Sequence, residues 1–340
     1  MTCKNILIRC DSSNIIGTGH VMRCLNLCEY YPNYNFTFVC RNFFMNITDK
    51  IRQHNHKHNL ILLDYNIEPQ LNNYRSWIGK TYNNEIFDLI SIVETTKYDI
   101  VIIDHYGIDY SLEDNIRKYC DKVIVISDIF DFNHKCDIFI NYNTNDLEKV
   151  KTINLNTETT YRIGVKNIIL NKKFTSGIRK QNTFCNKIQN ICVIMGGADP
   201  YNYTLKVLTI IDKYAKENNI LINIVMGKSN NNIKIINDKA RFDENSNYKI
   251  LVDVNYDELI NLYLENDLVI GSLSITAYER LYLNIPQICL KIVDNQLIQQ
   301  LDEFNIATLD TLINKIIAYP HLYIPNTPSN TISHITTLLD

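Results

Sequence analysis

Glycine is scarce in this chain, with 10 among 340 residues, and proline is scarcer at 7. Collagen-like and Gly/Pro-rich disordered architectures are thereby excluded, and any cluster of glycines carries information. Charge of one sign is also lacking. The net charge is −3 and no block of like charge occurs, which argues against a nucleic-acid partner, because such binding calls for a basic patch. No uninterrupted apolar run reaches the length of a membrane span. Met1-Thr2-Cys3-Lys4 leads into a short apolar stretch rather than the long apolar segment of a secretory signal. A cytoplasmic protein without membrane insertion is expected. The 10 cysteines include no Cys-x-x-Cys pair, so they read as small buried hydrophobes of a reducing compartment. Gly-x-Ser-x-Gly and His-Glu-x-x-His are both absent. His54, His56 and His58 alternate without a carboxylate or cysteine beside them, so they read as a solvated loop and no metal site is expected.

What is present is a chain that is 46% hydrophobic and 21% charged, long enough for two domains. Short apolar runs alternate with helical segments. The first half offers strands near Asn5–Ile8, Asn35–Cys40, Leu60–Leu63, Asp99–Ile103, Lys122–Ile126 and Cys136–Ile140, with helices over His20–Tyr31, Asn83–Thr96 and Ser111–Cys120. The polar tract 172–187 reads as a linker. The pattern then restarts, with strands at Ile191–Met195, Ile220–Met226, Tyr248–Val252, Asp267–Ile270 and Gln287–Ile292, and helices over Tyr201–Lys216, Tyr256–Glu265 and Ser274–Asn284. From Ile306 onward the chain reads first as helix, then as a loop broken by Pro320, Pro325 and Pro328. Strands alternating with helices imply parallel sheets joined by crossovers. The expected class is α/β: two Rossmann-like domains, at 1–171 and 188–340, with ligands at the carboxyl ends of the strands and a cleft between the halves.

The first strand runs into Arg9-Cys10-Asp11-Ser12-Ser13-Asn14-Ile15-Ile16-Gly17-Thr18-Gly19-His20. Val21, Cys24, Leu25 and Cys28 follow at helical spacing. Gly17 and Gly19 allow a tight turn and a close ligand approach. His20 falls in the first helical turn, where the positive end of the helix favours a neutral imidazole, the form a general base needs. Asp104-His105-Tyr106-Gly107 ends a later apolar strand on the same rim, and Ser127-Asp128 ends the next. In the second half, Gly196-Gly197-Ala198-Asp199-Pro200 joins strand to helix and can turn backbone amides toward a phosphate. Gly227-Lys228-Ser229 lacks the earlier P-loop glycine and reads as a turn. Gly271-Ser272-Leu273-Ser274-Ile275-Thr276 supplies hydroxyls at another helix start, and Glu279 lies one turn further, able to grip a ribose diol.

Taken in order, these motifs resemble those of the UDP-sugar hydrolase family of pseudaminic-acid biosynthesis, whose substrate is UDP-2,4-diacetamido-2,4,6-trideoxy-β-L-altropyranose. That family is related to the MurG-type glycosyltransferases. The resemblance rests on Arg9-x-Asp11-x-Ser13, Ile16-Gly17-Thr18-Gly19-His20-Val21-Met22-Arg23, Asp104-His105-Tyr106, Cys136-Asp137 before Asn141, Met195 through Pro200, Glu279, Pro286 and Asn295-Gln296. It implies a GT-B-like fold in which the C-terminal domain binds UDP through Gly196, Gly197, Asp199, Ser272, Ser274 and Glu279. Asp11, Gly17, Gly19, Tyr106 and Asn295 would surround the sugar, and His20 would be the catalytic base that activates water at the anomeric carbon, with inversion and release of UDP. No cofactor or metal is implied. The partner is the UDP-sugar itself, and a monomer is expected. Leu273 and Ile275 stand where many relatives have a glycine-rich run and are expected to reshape the diphosphate pocket. Two other readings are a MurG-like glycosyltransferase and an inactive nucleotide-sugar-binding protein.

Overall fold

The computed structural model describes residues 3–55, 57–176, 187–197, 199–228, 230–242, 247–292, 304–318 and 336–339. They form two units, 1–171 with 330–340, and 172–329. In the first unit seven strands lie in the order β3-β2-β1-β4-β5-β6-β7. Their ranges are β1 Asn5–Cys10, β2 Asn35–Arg41, β3 Asn59–Leu63, β4 Tyr98–Asp104, β5 Cys120–Ile126, β6 Ile138–Asn141 and β7 Thr160–Ile163. All neighbours pair in parallel. The central strands are apolar on both faces: Ile6, Leu7, Ile8 and Ile100 through Ile103 are all buried, as a sheet covered by helices on both sides requires.

Six parallel strands make the second sheet, in the order β10-β9-β8-β11-β12-β13. Here β8 is Asn190–Ile194, β9 Leu221–Met226, β10 Tyr248–Val252, β11 Leu268–Ser272, β12 Gln287–Leu290 and β13 Ile306–Ala307. The two parallel-sheet α/β domains expected from the alternation are therefore present. In each sheet the chain reverses direction of travel once, between β1 and β4 in the first and between β8 and β11 in the second. Such a switch point opens a crevice at the carboxyl ends of its two strands, the usual ligand position in open α/β sheets. The four motifs of interest sit there: the His20 loop after β1, Asp104 at the end of β4, the Gly196 loop after β8, and Ser272 at the end of β11.

Besides the unread helices Thr48–His54, Leu147–Thr152 and Ile233–Phe242, three features depart from the sequence reading. Strand β7, with its half-buried Tyr161, Arg162 and Ile163, was not anticipated, because an edge strand carries little apolar signal. Ile306–Ala307 is a strand beside Cys289–Leu290 rather than the start of a helix, and the helix begins at Leu312. The C-terminal domain also does not run to residue 340. Leu339 is buried, takes a hydrogen bond on its carbonyl from Lys4 Nζ at 2.7 Å and donates its amide to Tyr31 Oη at 3.0 Å, so residues 336–339 belong to the first unit. Among the described residues no helix is long and apolar enough to cross a membrane.

Candidate active site

In the first unit, strand register puts Cys10 of β1 beside Asp104 of β4. The chain leaving β1 turns at Gly17, whose φ of +83° suits glycine, and closes a small loop through Gly17 N–H to the Ser13 carbonyl at 2.9 Å. It then enters the helix Gly19–Glu29. A side chain at Gly17 or Gly19 would meet no atom within 4 Å, so the loop is open above both. His20 is thereby placed over the end of β4, where its Nδ1–H donates to Asp104 Oδ1 at 2.6 Å. That bond selects the tautomer whose Nε2 keeps a lone pair. Arg23, one turn on, grips the same carboxylate with Nη2 at 2.6 Å and Nε at 2.8 Å, and Cys24 Sγ lies 3.5 Å from it. Burial alone would raise the Asp104 pKa, but Arg23 and then His20 hold it well below the usual carboxylate range.

The sequence-predicted Tyr106 does meet His20, edge to face with ring centroids 4.6 Å apart. Its hydroxyl is spent elsewhere, donating to Asp128 Oδ2 at 2.7 Å. Burial first, and Asp128 second, push that phenol far above its ordinary pKa. Tyr106 thus offers a ring rather than an acid. It packs with Ile16, Phe43, Trp77 and Ile129 in a buried cluster, and Trp77 stacks on it at 5.6 Å. Trp77 and Arg23 escaped the sequence reading as site residues. Trp77 is the chain's one tryptophan and lies in a short 3-10 turn, Tyr74–Ile78, that leaves no helical period to read.

Asp11 is a correction. It is fully buried, and its carboxylate is consumed by the Arg41 amide at 2.6 Å, Arg9 Nη1 at 2.8 Å and His105 Nε2 at 3.1 Å. Arg9 and Arg41 both pair with buried Glu85 as well. Fully buried and held by these donors, the carboxylate pins the β1–β2 rim and presents no surface to a sugar.

In the second unit, the turn after β8 has φ +90° at Gly196, and a Cβ there would lie 3.8 Å from Ser272 Oγ. Gly227, at the end of β9, packs against the same turn, since a Cβ on it would fall 2.6 Å from Gly197 Cα. Ser272, Ser274 and Thr276 form a hydroxyl chain with steps of 2.8 and 3.0 Å. Arg280 ends that chain, its Nη1 donating to Thr276 Oγ1 at 3.1 Å and its Nη2 to the Ser272 carbonyl at 3.2 Å. Arg280 is fully buried and makes no ion pair among the described residues. A desolvated cation beneath hydroxyls, next to a glycine turn and the start of the helix Ile275–Tyr282, favours an anion. Leu273, by contrast, is buried in the core, 3% exposed.

Asp199 is the second correction. Its carboxylate accepts from the amides of Tyr203 and Thr204 at 2.8 and 2.9 Å and from Thr204 Oγ1 at 2.7 Å, holding first-turn amides of the helix Tyr203–Asn218, whose N-cap is Asn202. It shapes the glycine turn without being free to hold a ligand. Asp199→Ala should cost about 1–2 kcal/mol of unfolding free energy in a denaturant titration, the loss expected when buried first-turn donors are left without their acceptor. Glu279 behaves oppositely. It is buried, its Oε2 has no hydrogen-bond partner among the described residues, and desolvation, only partly countered by Arg280, raises its pKa to about 8. Ala198 and Asn295 lie outside the described residues, so the Asn295 reading has no structural counterpart here. Among the described residues no group of three His, Cys, Asp or Glu side chains could hold a metal ion, and His54 stacks on His58 next to Glu29 rather than forming such a set.

No family model matches the chain. An uncharacterized protein of Methanocaldococcus jannaschii is 29% identical over 84% of this chain, which spans 55% of that relative's length. The UDP-2,4-diacetamido-2,4,6-trideoxy-beta-L-altropyranose hydrolase of Campylobacter jejuni is 25% identical over 84% of this chain and 91% of its own. The spore coat polysaccharide biosynthesis protein SpsG of Bacillus subtilis is 26% identical over 60% of this chain and 59% of its own. Among solved structures, Acinetobacter baumannii MurG aligns over 99% of both chains at TM-score 0.56 and 12% identity. The UDP-GlcNAc 2-epimerase of M. jannaschii aligns over 98% of this chain and 99% of its own at TM-score 0.54 and 11% identity. The chain is thus similar over most of its length to the UDP-sugar hydrolase its motifs resemble, and it has the two-domain α/β fold of MurG.

Proposed function

We propose that this protein is an enzyme of sugar biosynthesis that acts on a UDP-sugar and hydrolyses it, releasing UDP. The observation that carries the reading is the His20–Asp104 pair, 2.6 Å apart at the switch point of the first sheet. With Nδ1–H held by Asp104, His20 Nε2 takes a proton from water. The water oxygen forms a bond to the anomeric carbon, the bond from that carbon to the phosphate oxygen breaks, and its electron pair leaves with UDP. Direct displacement inverts the anomeric centre. General-base assistance of this kind contributes about 10²–10⁴-fold.

The leaving diphosphate falls to the second unit. The Gly196–Gly197 turn and the hydroxyls of Ser272 and Ser274 would meet its oxygens, with buried Arg280 supplying positive charge. The orphan Glu279 oxygen would accept from the ribose diol. The named C. jejuni relative supports a 2,4-diacetamido-trideoxyhexose as the sugar. In this reading no metal or cofactor takes part.

The test is UDP release from purified protein given a panel of UDP-sugars with and without sugar acceptors. Release into water alone is the expected result. Release only with an acceptor would make the chain a glycosyltransferase, and tight UDP binding without release from any sugar would make it a binding protein.

A further inference from the structure

Asp128, two residues past the end of β5, has two carboxylate oxygens with different fates. Oδ2 accepts from Tyr106 Oη at 2.7 Å and pairs with Arg23 Nη1 at 2.9 Å. Oδ1 is buried and has no hydrogen-bond partner among the described residues, although the residue is only 5% exposed. Leaving a buried carboxylate oxygen unmade costs more than a typical hydrogen bond contributes, so the oxygen calls for a donor. The donor would come from beside the aromatic cluster. Tyr106 and the next residue, Ile129, both belong to it, together with Trp77, and Tyr106 is the ring that His20 abuts.

We propose that Asp128 is a specificity-determining residue that accepts the N–H of an acylamino group on the sugar, while the apolar face of Tyr106, Trp77 and Ile129 takes the acyl methyl. A hydroxyl in place of the acylamino group would satisfy the oxygen but bring no methyl to the cluster. An acylamino group satisfies both. Tyr106 and Arg23 fix the carboxylate from the other side, so its direction is set before the sugar arrives, the condition for a hydrogen bond that discriminates between substrates. The inference rests on the reading of the chain as a UDP-sugar enzyme and goes beyond it by naming the residue that selects the sugar.

The probes are UDP-N-acetylglucosamine and UDP-glucose, which differ by an acetamido group against a hydroxyl, with UDP alone as the reference, all measured as binding by calorimetry. The wild type should prefer the acetamido sugar by about tenfold, and Asp128→Asn should narrow that ratio to about twofold or less while UDP binds as before. A carboxylate that merely props up Tyr106 and Arg23 would weaken both sugars equally, so an unchanged ratio overturns the proposal, as does a wild type with no preference. Should Asp128→Asn fail to fold, Tyr106→Phe removes the donor that aims the carboxylate and should narrow the ratio about threefold. No narrowing there is equally fatal. Loss of UDP binding by the wild type would instead sink the nucleotide-sugar reading. Free N-acetylglucosamine against glucose, read by saturation-transfer NMR on wild type and Asp128→Asn, then judges the acyl site by itself: a wild-type preference lost in the variant supports it, and its absence overturns it.

Discussion

His20→Asn should lower the rate of UDP release by about 10³-fold while changing the affinity for UDP by less than about twofold. Asparagine can still accept or donate at the position of Nδ1, so the bond to Asp104 has a substitute, but it has no counterpart to Nε2 with a lone pair on the far side of a ring. The loss should fall on kcat, because the base acts only as the water oxygen begins to bond to carbon. Asp104→Asn is a poorer test of the same idea. It also removes one of the two carboxylates paired with Arg23, which makes contacts of 2.6 and 2.8 Å to Asp104 and keeps only Asp128 at 2.9 Å, and breaking part of a buried ion-pair network lowers stability as well. Its rate effect would therefore be mixed with misfolding. Steady-state kinetics on His20→Asn, with UDP affinity from calorimetry, settle the point: a kcat within tenfold of wild type would remove His20 from the role of base.

The sheets were legible in the sequence because parallel strands buried on both faces are written as continuous apolar runs. Ile100–Ile103 and Ile191–Ile194 could hardly be anything else. The rim positions were legible too, since glycines are few and two pairs of them, Gly17 with Gly19 and Gly196 with Gly197, follow such runs directly. Which rim residues face a ligand was not legible. Asp11 and Asp199 have the chemistry of ligand-binding carboxylates, yet one is enclosed by Arg9, Arg41 and His105 and the other is bound to the first-turn amides of a helix. The difference lies in partners that are distant in sequence: Arg41 comes from β2, and His105 lies 94 positions away from Asp11. Arg23 and Asp128 show the converse. The sequence sets Arg23 at the end of the first motif and Asp128 at a strand end, and only pairing across 105 positions brings them to each other beside Tyr106 and Asp104.

Glu279→Gln should move stability and nucleotide binding in opposite directions. The carboxyl titrates near 4.5 in the unfolded chain and is raised to about 8 in the folded protein, with desolvation as the main cause. Between those values the native state holds a proton that the unfolded state has lost, so stability falls as pH rises, at about 1.4 kcal/mol per pH unit. Below 4.5 the cost vanishes; above 8 it is complete. Glutamine carries no charge to desolvate, and the variant should escape that decline, becoming more stable than wild type by a few kcal/mol at pH 8 in denaturant titrations. Binding should go the other way. Two ribose hydroxyls donate best to an ionised carboxylate, so UDP binding to the wild type should release a proton below pH 8 and tighten with rising pH, by up to about tenfold per unit. Calorimetry in buffers of different ionisation enthalpy measures that proton directly. In Glu279→Gln the proton release should disappear and UDP affinity at pH 8 should fall by about tenfold or more. A residue kept only for packing would gain the same stability on substitution and lose no affinity, so unchanged UDP binding would take the ribose away from Glu279. If both effects appear together, the buried unpaired oxygen is a cost that the free protein carries and the bound nucleotide relieves, which is the relation expected of a binding site assembled before its ligand arrives.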